Sequence, residues 1–169
     1  KANKNVSNLK ILVDCANGSA SYIAQKIIKA LNIDAKILNN DPNGTNINDM
    51  CGSTHISVLS DIVKNGHYDL AFAFDGDADR CLAMDGFGKI IDGDGIMFLN
   101  AVDMKEKNKL NNDTVVLTVM SNIGLKKAFS KHNIKLSEVC VGDKYVQAEM
   151  KKHNYSLGGE QSGHIIFLD

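Results

Sequence analysis

Tryptophan is absent from this 169-residue chain and proline occurs once, at Pro42. With 14 glycines and 44% apolar residues, that scarcity excludes collagen-like and proline-rich disordered chains and leaves a globular composition. Neither sign of charge dominates. Lys plus Arg number 19 and Asp plus Glu 20, a net charge of −1, so there is no excess positive charge to hold nucleic acid or an anionic membrane. Long hydrophobic runs are missing too: stretches such as Leu70 to Phe74 and Val115 to Leu117 fall far short of the roughly 20 residues that span a bilayer. Lys1 to Lys10 is polar and Asn-rich, has no signal-peptide core and no initiating Met, and reads as the start of an excised or partial chain.

The four cysteines, Cys15, Cys51, Cys81 and Cys140, form no C-x-x-C pair. A zinc ribbon or thioredoxin-type motif is therefore excluded, and buried reduced thiols are expected.

Short β-rich runs alternate with helical patterns from end to end, the signature of a layered α/β fold. Leu9 to Val13 reads as a buried strand. Ser19 reads as the cap of a helix on which Ile23, Ile27 and Leu31 repeat at helical spacing, and Ala35 to Leu38 as a strand. After the polar loop Asn39 to Asp49, Ser53 is expected to cap a helix carrying Val58, Leu59, Ile62 and Val63, closed by Gly66. Leu70 to Phe74 is apolar throughout and runs into an acidic turn. A second unit is expected from Ile90. Asp92 or Asp94 caps a helix with Ile96, Leu99 and Val102, and Lys105 to Asn112 is a connector. Thr114 to Val119 is a strand, Ser121 caps a helix with Leu125, Ala128 and Phe129, and Leu136 to Val141 is a strand. Gly142 to His153 is a helix with Tyr145, Val146, Ala148 and Met150, and strands Tyr155 to Leu157 and His164 to Leu168 flank the turn Gly158 to Gly163.

The acidic turn, Asp75-Gly76-Asp77-Ala78-Asp79-Arg80, sets three carboxylates at alternate positions, so all can converge on one cation. With oxygen donors and neither His nor Cys, it suits Mg²⁺ better than Zn²⁺. Three carboxylates, Mg²⁺ and Arg80 sum to zero, which lets a phosphate approach. Gly76 permits tight closure, and the end of a strand is where open α/β sheets bind ligands. An EF-hand is excluded, because Arg80 stands where that loop needs Gly and Gly86 where it needs Glu. Two other readings remain: a solvated acidic turn, and a phosphatase of the haloacid dehalogenase type with Asp75 as nucleophile and Asp77 as acid and base.

Gly158-Gly159-Glu160-Gln161-Ser162-Gly163-His164 packs a carboxylate, an amide, a hydroxyl and an imidazole between glycines, which is equipment for binding a polyol. Its spacing differs from the G-x-S-x-G elbow of serine hydrolases. Gly142-Asp143-Lys144-Tyr145, at a helix start, could hold a phosphate through backbone N–H groups and Lys144. Cys51 and His55 could form a nucleophile pair, although a cap at Ser53 explains that stretch more economically.

Together, Asp75-Gly-Asp-Ala-Asp-Arg80 and Gly159-Glu-Gln-Ser-Gly-His164 resemble the α-D-phosphohexomutase family. Asn46 to His55, Thr118 to Asn122, Val141 to Val146 and Gln161 resemble its glucosamine-phosphate branch. The resemblance implies two consecutive three-layer α/β/α domains with mixed sheets, the second incomplete: domain two over 1–89 with the metal loop and domain three over 90–169 with the sugar loop. It implies a cytoplasmic bacterial enzyme that interconverts glucosamine 6-phosphate and glucosamine 1-phosphate through a phosphoserine and a bisphosphate, feeding cell-wall synthesis. By the same resemblance Asp75, Asp77 and Asp79 hold Mg²⁺, Arg80 offsets charge during transfer, Glu160 and Ser162 bind the substrate, and His164 is a candidate general base, with Lys144 added as a substrate contact from its place at the helix start. The family's serine loop and domain-four phosphate loop are absent from the sequence. The chain alone is therefore expected to be inactive, its partners being the sugar phosphate and domains one and four, with no nucleic acid and no membrane. A stand-alone Mg²⁺ phosphatase and a non-catalytic sugar-phosphate-binding module are the alternatives.

Overall fold

The computed structural model describes residues 8–168, which divide after Ile91 into two compact units. In the first, β1 (Lys10–Asp14), α1 (Ala20–Leu31), β2 (Asp34–Leu38), a 3₁₀ segment (Ser53–Val58), α2 (Leu59–Gly66), β3 (Leu70–Phe74), β4 (Cys81–Asp85) and β5 (Ile90–Ile91) follow in order. They form a five-stranded sheet, β2-β1-β3-β4-β5. β2, β1 and β3 are parallel, β4 runs antiparallel to β3, and β5 antiparallel to β4.

Strand alternation sorts the core onto two faces. Ile11 and Val13 pack on one side with Ala20 and Ala24 of α1, with half-buried Phe72 and Phe74 against them. Leu12, Ala71, Ala73 and Met84 pack on the other with Ile56, Leu59 and Val63. Helix α1 differs from the sequence expectation. Ile23, Ile27 and Leu31 are exposed, and Ala20, Ala24 and Ile28 pack toward the sheet. Ser19 makes no side-chain cap bond, its hydroxyl donating instead to the Gly76 carbonyl (3.3 Å). Ser53 is the first residue of the 3₁₀ segment rather than a cap, and α2 ends with His67, not Gly66, in the left-handed region (φ 52°).

The second unit holds α3 (Gly93–Glu106), β6 (Thr114–Thr118), α4 (Ile123–Lys131), β7 (Lys135–Val139), α5 (Asp143–His153), β8 (Leu157–Gly159) and β9 (Ile165–Phe167). Its sheet is β7-β6-β8-β9, parallel but for antiparallel β9. Val115 and Leu117 face α3 and α4 through Met97, Ala101, Leu125 and Phe129, and Val116 faces α5 through Val146 and Met150. The chain thus contains two consecutive α/β/α units with mixed sheets, as the sequence leads one to expect.

Asp92 is the cap of α3, its carboxylate accepting from Gly95 N, but Leu99 is exposed and Met97 and Ala101 are buried in its place. Asn122 rather than Ser121 caps α4. Gly158 and Gly159 belong to strand β8, so the turn itself spans Glu160 to His164. Cys15 and Cys51 are buried and Cys81 is half-buried, but Cys140 is exposed, contrary to the expectation of buried thiols. No described helix is long and apolar enough to cross a membrane.

Candidate functional site

The parallel strands of the first unit end in loops that meet around the acidic turn. Asp14, at the end of β1, is completely buried, and its two carboxylate oxygens accept from Ala16 N (2.9 Å) and Gly52 N (2.9 Å). One side chain thereby ties together the turns that follow β1 and precede the 3₁₀ segment. Next to them, Ser19 N donates to the Gly76 carbonyl (2.9 Å), anchoring the acidic turn on the start of α1.

Asp75 is only 1% exposed. Its Oδ2 accepts from Arg80 Nε (2.6 Å) and its Oδ1 from Arg80 N (3.1 Å). Burial alone would raise the Asp75 carboxyl, but the Arg80 backbone N–H and guanidinium outweigh it and hold the group below the usual carboxylate range. Asp77 and Asp79 are exposed, and the three carboxylates can each offer an oxygen within 4.8 Å of the others. An octahedral Mg²⁺ with bonds of about 2.1 Å needs its oxygens roughly 3 to 4 Å apart, a small side-chain adjustment from this arrangement. The donor set is all oxygen, which fits a hard divalent ion.

In the second unit, a cavity of about 510 Å³ is lined by Asp92, Thr118, Met120, Val141, Glu160, Gln161 and Ser162. These residues stand at the ends of β6, β7 and β8 and at the start of α3. Glu160 Oε1 accepts from Gly142 N (2.9 Å), which ties the turn to the start of α5. Gln161 Nε2 donates to Asp92 Oδ2 (3.1 Å), and Gly93 N donates to the Gln161 carbonyl (2.9 Å). Lys144 and His164 lie outside that lining. Lys144 is exposed, with Nζ 4.9 Å from the centre of the Tyr145 ring. The half-buried His164 accepts from Glu160 N through its carbonyl.

Of the residues singled out in the sequence, the structure brings Asp75, Asp77, Asp79 and Arg80 together in one unit, and Glu160, Gln161 and Ser162 together in the other. Cys51 is buried, and its thiol is pushed up by that burial and by Asp14 and Asp49, which removes it as a nucleophile.

Residues 1–88 match the profile "Phosphoglucomutase/phosphomannomutase, alpha/beta/alpha domain II", and residues 92–169 match "alpha/beta/alpha domain III" of the same family. The chain belongs to the phosphoglucomutase/phosphomannomutase family. Among curated members, the phosphoglucosamine mutase of Clostridium acetobutylicum is 54% identical over 164 residues, covering 97% of this chain and 37% of the relative. That of Bacillus subtilis is 48% identical over 168 residues, covering 99% and 38%. A phosphoglucomutase/phosphomannomutase family protein of Burkholderia thailandensis superimposes with a TM-score of 0.84 at 29% identity, covering 95% of this chain and 35% of that structure. This family member thus spans a little over a third of the length of the curated relatives it matches.

The phosphohexomutase frame also shows which residues sequence reasoning missed. Asp14 reads as an ordinary strand-ending aspartate, and only the fold reveals two backbone amides on its carboxylate. Gly142, noted as a helix start, has a second role at the Glu160 carboxylate, 18 residues away and invisible to spacing.

Proposed function

We propose that this chain is the part of a phosphoglucosamine mutase that holds the metal and the sugar, and that the intact protein interconverts glucosamine 6-phosphate and glucosamine 1-phosphate. The observation that carries this reading is the Asp75, Asp77, Asp79 and Arg80 constellation, on a chain about half identical to phosphoglucosamine mutases. An Aspergillus fumigatus N-acetylphosphoglucosamine mutase with the same fold (TM-score 0.69, 25% identity, covering 96% of this chain and 35% of that one) was solved with its sugar phosphate and magnesium.

In this reading Asp75, Asp77 and Asp79 hold Mg²⁺, which when bound would stabilise charge on the transferring phosphoryl oxygens. Arg80 keeps Asp75 ionised and offsets its charge, so an anionic phosphoryl group can approach. A phosphoserine outside this chain transfers its phosphoryl group to the sugar's free hydroxyl. The hydroxyl proton passes to a base, His164 in our assignment, and the serine oxygen is left free to receive the sugar's other phosphoryl group. Glu160 and Ser162 hold sugar hydroxyls, and Lys144 attracts the non-reacting phosphate. The chain alone lacks the serine and is expected to have no turnover.

The phosphatase alternative requires an Asp75 oxygen free for in-line attack on phosphorus. Both Asp75 oxygens accept from Arg80, which restricts metal ligation as much as attack, so the preference for the metal-ligand role rests on the likeness to phosphoglucosamine mutases over nearly the whole chain. The test is to incubate the full-length protein and this chain separately with glucosamine 6-phosphate and Mg²⁺ and follow phosphorus NMR. Conversion by the full-length protein, lost in Asp77→Asn and absent with the chain, is expected. Isomerisation by the chain alone would refute the assignment.

A further inference from the structure

The cavity of the second unit carries an electrostatic message of its own. Its described lining includes two carboxylates, Asp92 and Glu160, the polar side chains of Thr118, Gln161 and Ser162, and neither lysine nor arginine. Such a wall repels a phosphate and attracts a donor-rich or cationic group.

Hydrogen bonding fixes how the wall presents its acceptors. Asp92 Oδ1 accepts from Gly95 N (3.0 Å) and Oδ2 from Gln161 Nε2 (3.1 Å). An ionised carboxylate only accepts, so the Gln161 amide must turn its nitrogen toward Asp92, which leaves its Oε1 available to a ligand. Each Asp92 oxygen also retains a second lone pair. Asp92 and Gln161 therefore stand side by side as a negative charge and an oriented carbonyl dipole, both accepting, on the wall of the cavity. The Gln161 backbone is held in place by Gly93 N on its carbonyl, and a Cβ on Gly93 would come within 2.1 Å of the Glu160 carbonyl oxygen. The backbone beneath the pair is thus closely packed.

We propose that Asp92 and Gln161 form the element that recognises the ammonium group of an amino-sugar phosphate and sets its preference over a neutral hexose phosphate. An amino sugar carries a primary amine that is protonated near neutral pH, as α-amino groups are. Its three N–H donors match the Asp92 carboxylate and Gln161 Oε1, whereas a neutral sugar places one hydroxyl there and meets no opposite charge. Asp92 serves as helix cap and ligand contact at once. This inference rests on the mutase reading above and assigns its substrate choice to two residues.

The test is the ratio of kcat/KM for glucosamine 6-phosphate to that for glucose 6-phosphate, measured on the full-length protein, on Asp92→Asn and on Gln161→Met. Asn is as good a helix cap as Asp, so the fold survives, while the charge is lost and the Gln161 amide has to turn its Oε1 toward the new amide nitrogen, which withdraws both acceptors from the ligand. The proposal predicts that the ratio falls at least about tenfold in Asp92→Asn, mainly through KM for the amino sugar, and falls in Gln161→Met as well. Charge-assisted hydrogen bonds of this kind are worth about that much. Equal losses on both sugars, or an unchanged ratio, would show that Asp92 is only a cap and overturn the proposal while leaving the mutase reading intact. A full-length wild-type protein that isomerises neither sugar would overturn the mutase reading and this inference with it.

Discussion

Gly18 lies so close to Gly76 that a Cβ built on it would come within 2.2 Å of the Gly76 carbonyl oxygen. The contact is backbone against backbone, and that oxygen already accepts from Ser19 N. Neither partner can yield without moving the acidic turn. Gly18→Ala is expected to cost about 1 to 3 kcal/mol, the usual range for overpacking. It should also weaken binding of Mn²⁺, used as a probe for the proposed Mg²⁺ site, at least severalfold. Urea unfolding and Mn²⁺ titration on the chain check both effects, and unaltered metal binding would detach the turn from its support.

Asp14 makes a second prediction about the same scaffold. Removing its carboxylate in Asp14→Ala strips the partner from Ala16 N and Gly52 N. Unsatisfied buried donors cost on the order of 1 to 3 kcal/mol each, so a loss of about 3 kcal/mol is expected in urea melts. Asp14→Asn, which keeps one carbonyl acceptor, should lose less.

Much of this arrangement is legible in the residues, and the rest is hidden for physical reasons. Leu70 to Phe74 announces itself because an uninterrupted apolar run ends abruptly in three aspartates. Asp92 announces itself as a cap. Strand β4, by contrast, has no clear sequence signature: Cys81 to Asp85 mixes apolar and polar residues, and its strand state is fixed by antiparallel pairing with β3 after the acidic turn. The inward face of α1 is misread from Ile23, Ile27 and Leu31, since large apolar residues dominate a periodicity count while the sheet accepts alanine. Ties between distant residues, such as Glu160 with Gly142, leave no local trace.

That tie carries its own consequence. Gly142 sits at φ 128° and ψ 129°, a backbone region essentially closed to residues with a Cβ. Gly142→Ala is expected to cost about 1 to 3 kcal/mol and to shift the N–H that holds Glu160. In the full-length protein the sugar-phosphate KM should rise more than kcat falls. Glu160→Gln, which retains an acceptor for Gly142 N, should be milder than Glu160→Ala in steady-state assays.

Stability should also respond to pH through Asp94. Burial pushes its carboxyl above the usual carboxylate range, against the opposing pull of the Asn122 N–H on Oδ2. A carboxyl that holds its proton more tightly when folded contributes stability that is full below its unfolded pKa, roughly 3.9, and lost as pH rises through the folded value. Asp94→Asn removes that loss. The variant should be more stable than wild type at pH 7 and should lose this advantage near pH 3.5, as read from urea midpoints at the two pH values.

In the proposed mechanism Asp75 holds a metal and does not itself carry phosphate. Incubating the full-length protein with labelled glucosamine 1,6-bisphosphate, then quenching and digesting it, tests this directly. The account predicts acid-stable label on a serine outside residues 1–169, unaffected by hydroxylamine. Hydroxylamine-labile label on the peptide containing Asp75, the mark of an aspartyl phosphate, would contradict it.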